Sequence, residues 1–228
     1  MAFQRGDEEK TVQVFAHNDA IGTQTETIWP TGGFITLATG GAPAGVTLTS
    51  AGGSTDSGVK ITLQGLDGSF LLAEEEVTLG SDGTLATTST WGRINRAWVS
   101  GPTALTGNCE IKSSTTDVVL QNIMVTGNTT GNATFSMPMD YNGYLDSVSI
   151  NCNTDAEVKL TISIMEWDPV NFNYKVKDKS RIINFKNSYQ RQFINPVLIK
   201  PGSAVELQCS CSTDSAISSD FVLLLDKI

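Results

Sequence analysis

One histidine and four cysteines are the side chains of this 228-residue chain best suited to nucleophilic or metal chemistry. His17 is the sole histidine, so any Ser-His-Asp or Cys-His arrangement must use it. It stands in His17-Asn18-Asp19, just after a strand-like segment, and no residues around it form the sharp strand-to-helix turn that presents a nucleophile. A surface or turn histidine fits that context. Cys109, Cys152, Cys209 and Cys211 lack the paired Cys-x-x-Cys knuckle or companion histidines of a zinc site. On an extended strand the side chains of Cys209 and Cys211 would lie roughly 7 Å apart, beyond disulfide reach. Together with Cys152 they fall on the apolar phase of their strands and read as buried free thiols acting as small hydrophobes.

Carboxylates are plentiful, 24 in all, and glycoside hydrolysis needs only two. Glu74-Glu75-Glu76 has no aromatic residue beside it and reads as a solvated strand entry. Asp168 beside Trp167 is the better sugar-binding pair, yet it stands in a proline turn, where the ring covers a hairpin end. Tyr141 and Tyr144 are the other aromatic candidates for a glycan surface. Asp67, Asp214, Asp220 and the acid of residues 151–155 are scattered, without the ligand ladder of a calcium loop. Gly32-Gly33 and Gly40-Gly41 precede strand patterns, not a helix N-terminus, so neither cradles a phosphate. No catalytic residue, metal ligand or cofactor site emerges, and the chain is expected not to be an enzyme. Arg93 and Arg96 lie among Trp91, Ile94 and Trp98; arginine beside tryptophan suits a desolvated protein–protein contact, whereas the tryptophans themselves suit a core.

The elements that must position these groups are strands. In residues 156–164, Val158, Leu160, Ile162 and Ile164 alternate with Lys159, Thr161 and Ser163. Successive strand residues point to opposite faces, so one face rests on a core and the other is expected to meet solvent. The same period recurs at Val59-Ile61-Leu63, Val148-Ile150-Cys152 and Val205-Leu207-Cys209-Cys211, and no window of similar length has helical spacing. Asp67-Gly68 and Asp82-Gly83 mark turns, the first closing a hairpin between residues 60–64 and 69–73. The fold class is therefore all-β.

Composition bounds the partners. The net charge is −9, with thirteen acids against six bases in residues 1–125 and eleven against nine in residues 126–228. That balance argues against nucleic acid, which needs a clustered basic face. Lys175, Lys177, Lys179 and Arg181 would share one strand face, a solvated cationic strip that deters edge pairing. No run approaches the roughly 18 apolar residues of a membrane span, and residues 1–10 lack the apolar stretch of a secretory signal. The glycosylation sequons at Asn128 and Asn132 then carry no meaning for a chain made in a cytoplasm.

The polar stretch 126–132 predicts a domain boundary. The expected organisation is a flexible N-terminal arm over residues 1–10, an N-terminal β domain over 11–126, and a C-terminal jelly-roll or immunoglobulin-like sandwich over 127–228. Both domains would be antiparallel sandwiches or barrels. Within the first, the segment 27–33 combines Trp29 and Pro30 with a glycine pair and pins the chain at a sheet edge.

Several of these motifs together resemble virion structural proteins of tailed bacteriophages, marine ones especially. They are Glu26-Thr27-Ile28-Trp29-Pro30-x-Gly32-Gly33, Leu63-Gln64-Gly65-Leu66-Asp67, Glu76-Val77-Thr78-Leu79 and Arg93-Ile94-Asn95-Arg96 in the first half. In the second they are Val158-Lys159-Leu160 leading to Trp167, residues 187–193, Pro196-Val197-x-Ile199-Lys200 and residues 221–226. The resemblance implies a non-enzymatic particle component, made in the host cytoplasm and carried in the virion, with no catalytic residue to transfer. A cement or decoration protein on the capsid surface is the leading expectation, bridging neighbouring copies of the major capsid protein or other virion proteins as a trimer or dimer. A neck, tail or head-fibre component that binds host glycans is the alternative. Phe3 and Arg5 of the arm, with Trp29, Arg93 and Arg96, are the expected interface residues.

Overall fold

The computed structural model describes the backbone of residues 9–33, 35, 43–168 and 173–228, and their side chains except those of residues 9 and 173–182. The strands in chain order are β1 (Glu9–Ile21), β2 (Glu26–Thr27), β3 (Val46–Ser50), β4 (Lys60–Asp67), β5 (Leu72–Thr78) and β6 (Thr84–Ala86). There follow β7 (Trp91–Val99), β8 (Cys109–Ser113), β9 (Val119–Met124), β10 (Thr129–Thr130), β11 (Thr134–Ser136) and β12 (Tyr141–Cys152). The last are β13 (Glu157–Asp168), β14 (Asn173–Lys186), β15 (Ser188–Ile199), β16 (Ala204–Cys211) and β17 (Ser215–Lys227). A single 3-10 turn, Gly53–Asp56, is the only helical element among the described residues. The protein is all-β, as the alternation predicts.

The chain forms two compact units. The first takes residues 1–34, 132–167 and 174–228; the second takes 35–131 and 168–173. The expected linear split is therefore corrected at its N-terminal side. Residues 11–33 do not build the first domain, because β1 pairs antiparallel with β17 from Glu9↔Asp226 to Asn18↔Ile217, and β2 pairs with β16. Long-range pairing of this kind leaves no trace in local composition. The expected arm is corrected at Glu9 and Lys10, which belong to the β1–β17 ladder, and its residues 1–8 lie outside the described residues.

The first unit contains a four-stranded sheet in the order β1-β17-β12-β15 and a second sheet in the order β11-β16-β13-β14, with β2 added beside β16. Leu145, Val148, Ile150, Phe221, Leu223 and Leu225 are buried in the former, and Val158, Leu160, Ile162, Val205, Leu207 and Cys209 in the latter. These are the alternating apolar positions. The opposite phase of β13 departs from expectation: Thr161 and Ser163 are buried rather than solvated. They share that phase with the buried Glu206, Thr134 and Ser136 on neighbouring strands. On this covered face Thr134 Oγ1 accepts from the Asn132 amide at 2.7 Å, whereas the Ser163 hydroxyl is buried without a hydrogen-bond partner among the described residues. Residues 173–176 and 181–185 belong to one strand, β14. The side chains of the expected cationic strip on β14 lie outside the described residues.

The second unit is one eight-stranded antiparallel sheet, β5-β4-β7-β10-β9-β8-β3-β6, curled toward a barrel. Its two outer strands, β5 and β6, are consecutive in the chain. Leu79 continues the pairing of β5 with the β4 segment through backbone hydrogen bonds with Gly58 and Val59, and the Thr88 hydroxyl, just past β6, donates to Glu75 of β5 at 3.1 Å. Val46, Leu48, Ile61, Leu63, Trp91, Ile111 and Ile123 fill the interior. Gly83 closes the β5–β6 turn at φ 75°, where a Cβ would strike the backbone of Gly53, so glycine is required there. The β4–β5 hairpin forms around Asp67-Gly68 as expected, but the left-handed residue is Phe70 at φ 61°. The Asp67 carboxylate compensates by accepting from the backbone N–H of Ser69 at 2.7 Å and of Leu71 at 3.0 Å.

Candidate functional site

The outer face of the four-stranded sheet is a regular surface of the first unit. Register places four residues in each cross-strand row: His17, Ser218, Asn151 and Ser188; then Phe15, Asp220, Ser149 and Gln190. The next rows are Gln13, Val222, Ser147 and Gln192, then Thr11, Leu224, Tyr144 and Leu198. Paired strand residues share a face, and these alternate with the buried core positions. Asp220 supplies the single carboxylate in these rows, which are otherwise hydroxyls, amides, His17 and apolar side chains. Phe15, Leu198 and Leu224 are exposed. Between its outer strands and rows the face measures roughly 14 by 20 Å.

Beside this face, β15 breaks register with β12. Leu145 pairs Val197 and Ser147 pairs Gln192, so residues 193–196 bulge opposite Asp146. Phe193 turns into the core, and Ile194 is 98% exposed, the most exposed large apolar side chain described. An outer strand that bulges re-aims its side chains away from the sheet. The sequence holds the signal: Phe193 and Ile194 are adjacent apolar residues, so one must leave the core, and Pro196 marks an edge strand or bulge.

The expected interface residues fare unequally. Trp29 is buried, its indole N–H donating to the carbonyl of Gly32 at 2.9 Å, so it closes the turn it was expected to pin and offers no surface. Arg93 is buried too, bonded to the carbonyl of Gly92 and set 5.5 Å from the Phe70 ring centre. Arg96 alone of the described three is exposed; it covers the ring of the half-buried Trp98 at 5.1 Å. Trp91 is a core residue. Phe3 and Arg5 lie outside the described residues. Of the aromatic glycan candidates, Tyr141 is buried with Lys10 over its ring, while Tyr144 and Trp167 are half-buried.

The groups with chemical potential are held by structural bonds. His17 Nε2 lies 2.7 Å from an Asp19 carboxylate oxygen, both exposed. Glu76 of the acidic triplet pairs with Lys60 at 2.9 Å and accepts from the Ser100 hydroxyl. No group of three or more metal-ligating side chains occurs among the described residues.

Two buried carboxylates escaped the sequence reading, one in each unit. Asp56 ends the 3-10 turn and ties it to residues 106–107. It accepts from the Thr106 N–H at 2.8 Å, the Thr106 hydroxyl at 2.7 Å, the Ser50 hydroxyl and the Gly107 N–H. Burial pushes its carboxyl up, but the hydrogen bonds from Ser50, Thr106 and Gly107 outweigh this and hold it below the ordinary value. Glu206, in β16, accepts from the hydroxyl of Thr27 and from the Gln208 amide at 2.9 Å. Here burial prevails over both bonds and the carboxyl is raised. Its neighbours Val205 and Leu207 made it look like an ordinary solvent-facing strand residue. Both carboxylates fasten segments together, held by hydroxyl, amide and backbone donors.

No protein-family model matches the chain, and no curated protein sequence matches it. Among solved structures it is similar to that of infectious bursal disease virus, Gx strain, with 7% identity over 96% of this chain and 72% of that chain and a TM-score of 0.26. A VP2 subviral particle of the same virus gives 8% identity over 97% and 77%, with a TM-score of 0.21. Scores at that level do not separate a shared fold from shared strand content.

Proposed function

We propose that this chain is a non-enzymatic virion structural protein that binds the capsid of a tailed bacteriophage as cement or decoration, bridging neighbouring subunits of the major capsid protein. The motif resemblance to phage virion proteins supports the reading. The observation that carries it is the outer face of the four-stranded sheet: four rows with a single carboxylate, flanked by the protruding Ile194. A four-row patch with one carboxylate and a projecting apolar side chain suits contact with another protein surface, with Asp226 in the adjoining row bordering it. The face spans well under the roughly 800 Å² per partner of a stable interface, so a second contact is required. Residues 1–8, which precede β1 at the border of this face, would supply it through Phe3 and Arg5. Trimers or dimers fit the local symmetry axes of a capsid lattice.

The test is co-sedimentation of the purified chain with capsids that lack it. Uniform labelling of the head is expected, with binding weakened at least tenfold by Ile194→Asp combined with Leu224→Asp. Removal of residues 1–8 is expected to leave a folded protein that binds poorly. Labelling confined to one vertex would move the protein to the neck or a fibre, and turnover of a polysaccharide would overturn the non-enzymatic reading.

A further inference from the structure

The outermost strand of a sheet presents backbone N–H and C=O groups that lack a ladder partner, and natural sheets protect such edges. Five outer strands here carry a protecting device. β6 and β11 have only three residues each. β5 contains Glu74-Glu75-Glu76, the sequence of β14 places lysines at 175, 177 and 179, and β15 has its bulge and Pro196. β1 has none of these. It borders the four-stranded sheet, and among the described residues β17 is its single ladder partner. That ladder runs without a register shift from Glu9 to Asn18. Thr11–His17 holds no proline, glycine, lysine or carboxylate, and Phe15 is 59% exposed. The open edge ends after Asp19, because the Ala20 N–H donates to Asn18 Oδ1 at 2.9 Å and the register shifts before Ile21.

We propose that this edge pairs with the same edge of a second copy of the chain, β1 against β1, about a two-fold axis at Phe15. A two-fold axis perpendicular to a sheet sets identical edges antiparallel, so the residue on the axis opposes its own counterpart. Gln13 then opposes His17 of the second copy, Thr11 opposes Asp19, and Val14 opposes Ala16. Each pair lies on one face, so the outer rows of one copy continue into those of the other. Phe15 meets Phe15, an aromatic cross-strand pair that covers a ring otherwise left in water. Asp19 meets a hydroxyl, and no like charges oppose one another between Thr11 and Asp19. The exposed ring falls midway along the open stretch, where the symmetry sets a residue against itself; that placement favours a second copy over a foreign strand.

The joined sheets form one eight-stranded sheet, whose outer face grows from roughly 14 by 20 Å to roughly 34 by 20 Å. The enlarged face approaches the roughly 800 Å² per partner that a stable interface needs. The dimer thus supplies the interface for the oligomer proposed above, but it rests on β1 and not on capsid binding. The edge contact itself buries well under the roughly 1,200 Å² total of a stable pair, so association is weak, with half-dimerisation on the order of 10–100 μM.

Sedimentation equilibrium of the intact chain is expected to show a monomer–dimer equilibrium. Phe15→Lys, which sets like charges on the axis, should weaken it at least tenfold; the ring is exposed in the single chain, and a thermal melt checks that the variant is folded. A wild-type chain that stays monomeric up to about 1 mM would overturn the proposal, as would a Phe15→Lys chain that dimerises like wild type. Cross-linking reads the register. Phe15→Cys should form an interchain disulfide on brief oxidation, since opposed residues of antiparallel strands hold their Cα atoms about 4.5–5.5 Å apart. Gln13→Cys and His17→Cys should link when mixed but not singly, and the wild-type chain with its four native cysteines should not link. Gln13→Cys linking to itself as readily as Phe15→Cys would overturn the axis. No capsid enters these measurements, so their failure and the failure of the capsid reading are separate results.

Discussion

Asp56 in the second unit and Glu206 in the first are both carboxylates withdrawn from water, and their surroundings drive them in opposite directions. Asp56 sits where the chain turns. Two backbone N–H groups, from Thr106 and Gly107, have no ladder to serve and point at it, joined by the hydroxyls of Ser50 and Thr106. Glu206 sits inside a sheet. The N–H groups around it are committed to β11, β13 and β2, so only side chains can reach it, and it collects one hydroxyl and one amide. The number of donors that converge decides between a carboxylate held ionised and one that burial pushes toward its neutral form. Loops can build the first kind of site; the interior of a ladder builds the second.

The contrast can be broken most directly at Asp56. Asp56→Ala strands three groups of donors in a buried place and should lower the free energy of unfolding by about 3 kcal/mol. Denaturant titration measures it, and a loss below about 1 kcal/mol would mean that the turn re-forms its bonds with water.

The pH dependence should run in opposite senses for the two groups. Asp56 is held below its ordinary 3.8, so its contribution is present above that value and is lost as pH falls through the folded value. Glu206 is raised above its ordinary 4.5, so its contribution is complete below that value and is lost as pH rises through the folded value. Asp56→Asn should therefore flatten the acid side of the thermal stability profile. Glu206→Gln, which keeps the acceptor oxygen and the shape, should change little in acid and raise the midpoint above neutrality by about 2–4 °C. A fall in that midpoint would mean that Glu206 is worth more charged than neutral.

The smallest effect is expected at Thr27. Thr27→Val removes the hydroxyl whose hydrogen bond Glu206 accepts and should cost about 1 kcal/mol, while raising the Glu206 carboxyl further and extending its loss of stability to higher pH. Chemical denaturation at two pH values separates these two consequences.

The sequence carried the local half of this structure well. Val158, Leu160 and Ile162 announce their strand by period alone, and Asp67-Gly68 and Asp82-Gly83 announce their turns through residues that favour them. What depends on distant partners was not legible. Nothing in residues 11–21 says that they will pair with residues 215–226, and that pairing moves β1 out of the domain its position suggested. Thr161 and Ser163 are polar, so alternation assigned them to water, although a hydroxyl also fits a covered face. Arg93 and Trp29 were expected at a surface for what their side chains can do; the fold uses the same capacities inward, against Phe70 and the Gly32 carbonyl. Ile194 was legible in principle through its out-of-phase place before Pro196.

The β1–β17 ladder has a consequence for biosynthesis. A ribosome delivers β1 early, yet its hydrogen-bonding partner is among the last strands made. All eight strands of the curled sheet emerge in between, between Val46 and Thr130, so that unit has its full set of ladder partners while β1 still waits for its own. Any factor that shields a nascent chain would therefore find its most durable client in β1, and translation pauses placed after residue 131 would lengthen that exposure.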